Sequence, residues 1–259
     1  MESVLSTSNL SFSVGDRELI HEISLEIPRG SFVGLIGPNG CGKSTLLKTI
    51  YRVNKASKGS VYLNGREIRE MSDKEVAKKM SVVTQENEIN FDFTVMEMMM
   101  VGRYAHRDLF SDRRAEDEEI CRNALKMVGM EQFEKRSFLT LSGGEKQRVF
   151  IASAFSRNTE LVVLDEPTNH LDVGYQFQIM DIMKSHKNIT VFSSIHDMNI
   201  AMQYCDYIIA LKKGKIVAAG IPMEVLTAER IRELFRVQAE IQRLKDNEFY
   251  IRYLGAANA

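Results

Sequence analysis

The sequence predicts an α/β fold built around a phosphate-binding loop. The first observation is the pattern G-x-x-x-x-G-K-[ST] at residues 37–44. The second is the apolar run 31–36 before the loop and the helical pattern 46–50 after it, an order that indicates strand, loop and helix. The third is a later apolar run, 161–164, that ends in two carboxylates, which is typical of a buried parallel strand.

The loop has the chemistry of a nucleotide site. Its glycines let backbone N–H groups face phosphate oxygens, and the following helix adds the positive end of its dipole. We expect Lys43 to reach the β- and γ-phosphates and the Ser44 hydroxyl to bind Mg²⁺. The alternative is a Gly-rich turn with no ligand. The candidate phosphate-binding residues are Gly37, Pro38, Asn39, Gly40, Cys41, Gly42, Lys43, Ser44 and Thr45.

Composition limits the class of protein. The 259 residues fit one large α/β domain or a core with a subdomain, and a net charge of −1 gives no basic stripe for nucleic acid. No apolar run reaches the roughly 18 residues of a membrane span, and no secretory signal is present, so we expect a cytosolic protein. The three cysteines, at positions 41, 121 and 205, predict free thiols.

Short β-patterns precede the loop and follow it. Residues 9–14 and 19–27 are joined by a turn and predict an antiparallel edge, while residues 59–63 predict a further strand. Residues 81–84 predict another strand, and the polar Gln85 stands at its end. After Gln85 the composition changes, so we expect a second, helical subdomain to begin there.

This second region is rich in methionine. Thr94 and Glu97 have the spacing of a capping box, which predicts a helix carrying Met96, Met98, Met99 and Met100. The methionines have two interpretations, filling of a core or an adaptable docking surface for a partner.

A second capping box occurs at Ser142 and Glu145, and it predicts a helix over residues 143–154. Gly143 and Gly144 weaken its first turn but expose backbone amides at its positive end, which is a second anion-binding geometry. An ordinary capped helix is the alternative.

Three side chains follow apolar strands and are candidates for catalysis. Asp165 and Glu166 end the run 161–164, and His196 ends the run 189–195. Nucleotide hydrolysis needs one carboxylate for Mg²⁺ and one to orient or deprotonate water. Solvated acids and a structural histidine are the alternatives.

Taken in order, the motifs GPNGCGKST, Gln85, LSGGE, LVVLDE, NHLD and His196 resemble the nucleotide-binding subunits of ATP-binding cassette (ABC) transporters. The resemblance covers residues 3–238. Residues 94–106 and 196–199 are similar to those of importers for iron siderophores, haem and cobalamin.

The resemblance implies a P-loop NTPase (RecA-like) core with an antiparallel β edge and an inserted helical subdomain, as in ABC ATPases. One nucleotide-binding domain would span residues 1–259. Its core would comprise residues 1–86 and 155–238, the helical subdomain with the signature motif residues 87–154, and a C-terminal tail residues 239–259.

It also implies the partners and the roles of single residues. Two copies would form a head-to-tail homodimer that holds two ATP molecules with Mg²⁺, and a separate integral-membrane permease, served by an external substrate-binding protein, would be driven by ATP hydrolysis. The chain would lie on the cytoplasmic face of the membrane. In this resemblance Glu166 polarises water, His196 contacts the γ-phosphate and Lys43 holds the phosphates. Asp165 and Gln85 serve Mg²⁺, and Asp172 communicates across the dimer. The ATP of the partner would be bound by Ser142, Gly143, Gly144 and Glu145.

Two alternative functions are compatible with parts of this pattern. A soluble assembly ATPase, as in iron–sulfur cluster building, shares the same motifs, whereas a phosphotransferase would leave residues 142–147 without a role.

The family usually stacks an aromatic residue on adenine just before Gly15. Here Val14 holds that position and Phe12 lies two residues earlier, so stacking is either weak or supplied by Phe12.

Overall fold

Strands and helices alternate along most of the chain. The computed structural model describes residues 2–84, 91–106, 114–169, 171–186, 188–244 and 248–257. The strands are β1 (Ser3–Val14), β2 (Arg17–Pro28), β3 (Phe32–Ile36), β4 (Lys58–Leu63), β5 (Arg66–Glu67), β6 (Met80–Val83), β7 (Leu161–Leu164), β8 (Thr190–Ser194), β9 (Tyr207–Lys212), β10 (Lys215–Gly220), β11 (Val237–Arg243) and β12 (Phe249–Ala256). The α-helices are α1 (Lys43–Ile50), α2 (Asp73–Lys79), α3 (Val95–Gly102), α4 (Arg114–Met127), α5 (Gly143–Ser156), α6 (Val173–Ser185), α7 (Met198–Tyr204), α8 (Pro222–Val225) and α9 (Ala228–Phe235).

The chain divides into two compact units. Residues 1–70 and 190–259 form the first, and residues 71–189 form the second. Within the described residues, no helix combines the length and the apolar character needed to cross a membrane.

An antiparallel sheet opens the first unit, in the strand order β2-β1-β4-β5. In β2, the side chains of Ile23, Leu25 and Ile27 are buried, while those of Ser24 and Glu26 between them are exposed. This alternation follows from the two-residue period of a strand and gives the sheet one apolar face. The predicted antiparallel edge is confirmed.

Parallel strands form the centre of the same unit. β3 lies between β8 and β9 and is parallel to both, and β10 pairs antiparallel with β9. Every residue of β3 and β8 is buried, as expected of strands that are covered on both faces. The carboxyl ends of β3 and β8 therefore lie at one edge, where the loop after β3 begins.

The second unit has a parallel strand pair, β6 with β7, and a set of helices. A buried ion pair fixes the ends of three of them. Arg103, just after α3, donates to Asp117 in α4 at 2.8 Å and to the carbonyl oxygen of Ser156 at the end of α5 at 2.7 Å. Loss of either charged partner would leave the other buried and uncompensated, which is strongly destabilising.

Three capping boxes begin helices of this unit. Ser72 with Glu75, Thr94 with Glu97 and Ser142 with Glu145 each make both reciprocal hydrogen bonds, at the starts of α2, α3 and α5. These bonds satisfy amides that a helix start otherwise leaves without partners. The predicted helix starts at Thr94 and Ser142 are confirmed.

The strands β11 and β12 form a hairpin that the sequence does not predict. β11 and β12 pair antiparallel, and Ile241 stands opposite Ile251. Ile251 is fully buried, whereas most of the other β12 side chains are exposed. The predicted C-terminal tail therefore contains two paired strands of the first unit.

Candidate functional site

The phosphate-binding loop connects β3 to α1. Gly37, Gly40 and Gly42 all have positive φ, at 153°, 73° and 109°. A Cβ atom on Gly37 would lie 2.2 Å from the carbonyl oxygen of Leu211, so a side chain there requires the backbone to move. The carbonyl oxygen of Cys41 accepts a hydrogen bond of 2.8 Å from the N–H of Gly214, which anchors the loop to the β9–β10 turn.

Lys43 stands at the first position of α1 and is buried. Its ammonium group donates to the carbonyl oxygens of Gly37 at 2.9 Å and Pro38 at 3.4 Å, so it lies inside its own loop. The Cys41 side chain is also buried, and burial raises the pKa of its thiol.

The start of α1 has the electrostatics of an anion site. Gly42 provides no side-chain cap, and the first turn of this helix has no acidic residue. Its first amides and dipole therefore meet no competing carboxylate of their own turn. Asn39 and Gly40 are exposed at the tip of the loop, which leaves the loop accessible to a phosphate group.

His196 lies at the same sheet edge as the loop. Leu35 pairs with Ser194 in parallel register, and the N–H of Ile195 donates to the carbonyl oxygen of Leu35 at 3.0 Å. His196 follows Ile195 directly and is exposed at this edge.

Val14 and Phe12 differ in accessibility. Val14 is 60% exposed beside the Gly15 turn, whereas Phe12 is half-buried. The pairing of β1 with β2 is irregular between Phe12 and Ser13, so the simple alternation of a strand does not relate the two side chains. Both residues stay candidates for contact with adenine.

Asp165 and Glu166 follow β7 and have different surroundings. Asp165 is buried, and its N–H donates to the carbonyl oxygen of Val83 at 2.9 Å. Glu166 is half-buried and has a left-handed backbone, with φ at 54°. The side-chain amide of Asn169 donates to the Glu166 carboxylate. Non-glycine residues in this backbone region carry strain and are concentrated at functional sites.

The start of α5 is tied to the segment after Glu166. Gln147 donates from its amide to the carbonyl oxygen of Pro167 at 3.1 Å, and a Cβ atom on Gly144 would lie 3.3 Å from Leu171. Ser142 and Gly143 are exposed. The second anion-binding geometry therefore faces solvent.

Asp172 is the N-cap of α6, but its side chain makes no capping hydrogen bond and is exposed. The carboxylate is therefore accessible to solvent. Gln85, the predicted Mg²⁺ and catalytic residue, lies outside the described residues.

Comparison with known proteins decides the family. A family model for ABC transporters matches residues 20–169, more than half of the chain. The chain belongs to the ABC transporter family. The family resemblance and the predicted fold class are confirmed, and the chain is an ABC-type ATPase subunit.

Curated and solved ABC proteins resemble the chain over most of its length. The iron(3+)-hydroxamate import ATP-binding protein FhuC of Bacillus subtilis is 41% identical over 92% of this chain and 89% of its own. A chain of an ABC transporter described as metal-chelate type, in an inward-facing conformation, has a TM-score of 0.82 and 25% identity and covers 98% of both chains. The dimeric bacterial ABC transporter cassette MJ0796 has a TM-score of 0.75 and 29% identity and covers 84% of this chain and 98% of its own.

The residues fit Mg²⁺-bound ATP. The loop offers amides, the Lys43 ammonium group and the Ser44 hydroxyl, and Asp165 offers a buried carboxylate. Hydroxyl and carboxylate oxygens are the ligands that Mg²⁺ prefers, and at nucleotide sites it takes few protein ligands in addition to phosphates and water. Sequence reasoning missed two positioning contacts, those of Asn169 and Gln147, because neither belongs to a phosphate-binding pattern.

Proposed function

We propose that this chain is the ATP-hydrolysing subunit of an importer that takes up a ferric siderophore through a separate membrane permease. The observation that carries the proposal is the loop at residues 37–45, with Lys43 inside it, in a chain that is 41% identical over 240 residues to an iron-hydroxamate import protein. Haem and corrinoids are related cargoes of the class predicted from the sequence. FhuC, named for hydroxamate import, favours the siderophore.

Binding of ATP is assigned to the loop and to α1. The loop amides and Lys43 hold the phosphates, and Val14 or Phe12 contacts adenine. Mg²⁺ supplies positive charge that neutralises the phosphates when it is bound. Ser44, Asp165 and Gln85 are the residues that would hold it.

Hydrolysis is assigned to Glu166 and His196. The Glu166 carboxylate orients or deprotonates the attacking water, and Asn169 fixes that carboxylate by its hydrogen bond. His196, which follows β8 at the sheet edge where the loop begins, would contact the γ-phosphate.

A homodimer would complete two nucleotide sites. Each copy presents Ser142, Gly143, Gly144 and Glu145 at the exposed positive end of α5, and these residues would bind the ATP held by the other copy. Asp172 would act across the same interface. A two-fold arrangement makes both sites equivalent, and the dimeric cassette MJ0796 supports it.

The permease would dock on the helical part of the second unit. Phe91 and Tyr104, which lie on either side of α3, are 70% and 77% exposed, and Val101 on the same helix is also exposed. Met99 is fully buried, while Met96, Met98 and Met100 are half-buried. Met99 thus fills a core, and the Met100 sulfur also faces inward, 3.9 Å from the Sγ atom of the buried Cys121, so the exposed Phe91, Val101 and Tyr104 are the apolar side chains that a partner would cover. The chain would then lie on the cytoplasmic face of the membrane, and an external binding protein would deliver the cargo.

The assembly-ATPase alternative is not favoured, because FhuC is named for import. Capture of the chain from detergent-solubilised native membranes, followed by mass spectrometry, tests the choice. We expect a polytopic permease to be recovered with the chain, and exclusively soluble partners would contradict the importer.

Cargo is tested by uptake of a radiolabelled ferric hydroxamate in cells that lack this chain. We expect the wild-type chain to restore uptake, and Glu166→Gln, produced in the same amount, to fail. Haem and cobalamin are measured in parallel. Restored uptake of haem or cobalamin alone would contradict the siderophore proposal.

A further inference from the structure

The β11–β12 hairpin is hydrogen-bonded to the segment that follows His196. Asn199 lies in the first turn of α7, three residues after His196. Its side chain donates from Nδ2 to the carbonyl oxygen of Ile251 at 3.2 Å and accepts at Oδ1 from the N–H of Ile251 at 2.7 Å. One amide thus satisfies both backbone groups of a β12 residue, as a neighbouring strand would.

A second contact lies two residues further along β12. Tyr253 makes a hydrogen bond to the backbone of Met198 and lies near the Asp197 carboxylate. Burial, with the Asp197 charge adding to it, raises the pKa of Tyr253 to about 12, so the phenol is neutral at physiological pH. The side chains of Tyr253 and Asn199 therefore join β12 to residues 197–199, which directly follow His196.

The segment between His196 and the hairpin is short and internally bonded. Asp197 caps α7 by accepting from the N–H groups of Asn199 at 2.7 Å and Ile200 at 3.2 Å. Ile195, on the other side of His196, is buried and bonded to β3. His196 is exposed between two anchored neighbours, and on its carboxyl side the hairpin adds the hydrogen bonds of Asn199 to the bonds within α7.

We propose that Asn199 is a positioning residue, through which the β11–β12 hairpin holds His196 in the orientation required at the nucleotide. The inference rests on the proposed function, since His196 is assigned there to the γ-phosphate. Residues 237–256 are then part of the hydrolysis machinery, although none of them belongs to a nucleotide-binding motif. A change in the hairpin would alter hydrolysis without a contact to ATP.

Imidazole NMR of the full chain with ¹⁵N-labelled histidine tests the proposal directly. The chain has five histidines, and His196→Gln identifies the signal of His196. We expect Asn199→Ala to shift the His196 signal and to narrow it, because the ring becomes more mobile. The matched control is Thr227→Ala, which removes the cap of α9 in the same unit without touching α7. An unchanged His196 signal in a folded Asn199→Ala protein would overturn the proposal.

ATP hydrolysis gives the functional readout. We expect Asn199→Ala to lower kcat by about tenfold with little change in the KM for ATP, because the loss of both hydrogen bonds to Ile251 releases the segment that carries His196 from the hairpin. In the His196→Gln background the same substitution should have no further effect, since both act through one group. If His196→Gln itself hydrolyses ATP at the wild-type rate, the proposed role of His196 fails. The NMR result would then still decide whether the hairpin positions the ring.

Discussion

The side-chain amide of Asn169 donates a hydrogen bond to the carboxylate of Glu166, three residues earlier in the chain. The backbone of Asn169 also donates to the carbonyl oxygen of Glu166, at 3.2 Å. The candidate base is therefore held at both its side chain and its main chain by one residue. Glu166 has a left-handed backbone, and such a conformation persists when its surroundings determine it.

Asn169→Ala should lower the rate of ATP hydrolysis and leave ATP binding intact. A lost hydrogen bond to a charged group is worth about 1.5–3 kcal/mol, so we expect kcat to fall by at least about tenfold. Gln176→Ala is the matched control, because its amide bonds the carbonyl oxygen of Leu171 and does not contact Glu166. Steady-state hydrolysis and ATP titration measure the two effects. An equal loss of activity in both variants would contradict a specific role of Asn169.

Lys43→Ala should abolish most nucleotide affinity. The ammonium group lies within the loop, and its loss removes both the positive charge that we propose to hold the phosphates and two hydrogen bonds to the loop. We expect ATP affinity to fall by about 100-fold, as for an interaction of roughly 3 kcal/mol with a charged group. Lys48→Ala changes a lysine of the same helix outside the loop and serves as control. Unchanged ATP binding by calorimetry would refute the phosphate-loop assignment.

The sequence predicts those parts of the fold whose sequence motifs lie within a few consecutive residues. The phosphate loop and the capping boxes at Thr94 and Ser142 are complete within four to nine consecutive residues, and each is found where it was expected. The strand β7 is a continuous apolar run, Leu-Val-Val-Leu, as expected of a strand that is covered on both faces.

The elements that were not predicted depend on distant contacts. The first half of α6 reads Val-Gly-Tyr-Gln-Phe-Gln, which alternates like a strand and contains a glycine, and its buried residues are Ile179, Met180 and Met183. The hairpin has few buried side chains, and Asn199 bonds Ile251 across 52 positions of sequence. Local hydrophobic patterns and secondary-structure propensities do not predict a contact between residues so far apart in the sequence.

Stability should depend on pH through the capping box at the start of α5. The N–H of Ser142 donates to the carboxylate of Glu145 at 2.7 Å, and this bond, with a smaller part from the Ser142 hydroxyl, lowers the pKa of Glu145. A carboxyl with a lowered folded pKa stabilises the fold above its unfolded pKa, and the contribution is lost as pH falls through the folded pKa. Glu145→Ala should therefore lower Tm at pH 7 by about 2–4 °C, the effect of roughly 1 kcal/mol in a chain of this size.

The effect of this substitution on Tm should shrink as pH falls from the unfolded pKa of the carboxyl through its lowered folded pKa, because protonation removes the charge that accepts the capping bond. Thermal unfolding from pH 3 to pH 7 measures the difference between wild type and variant. Glu131→Ala, at an exposed position in the same unit that does not cap α5, is the control. A Tm difference that is constant across this range would contradict the ionic origin of the effect.

Val14→Tyr should strengthen ATP binding if base stacking is weak in the wild-type chain. Val14 is exposed next to the Gly15 turn, and an aromatic ring there gains a face on which adenine can stack. An aromatic pair is worth about 0.5–1.5 kcal/mol beyond buried area, so we expect roughly a threefold to tenfold gain in affinity. Phe12→Ala in the wild-type background tests the other candidate. A loss of affinity in that variant, together with no gain in Val14→Tyr, would assign stacking to Phe12.

Glu166→Gln should bind ATP, hydrolyse it slowly and accumulate as a dimer. Glutamine keeps the shape of the side chain and can still accept from the Asn169 amide, but it cannot take a proton from water. With ATP and Mg²⁺ present, the exposed Ser142 end of α5 in each copy would remain closed on the nucleotide of the other. Light scattering coupled to size exclusion should give twice the mass of the chain. The double variant with Lys43→Ala is the control and should stay a monomer, because it cannot hold ATP. A monomeric Glu166→Gln protein that has bound ATP would count against the head-to-tail dimer and leave the assignment of the loop intact.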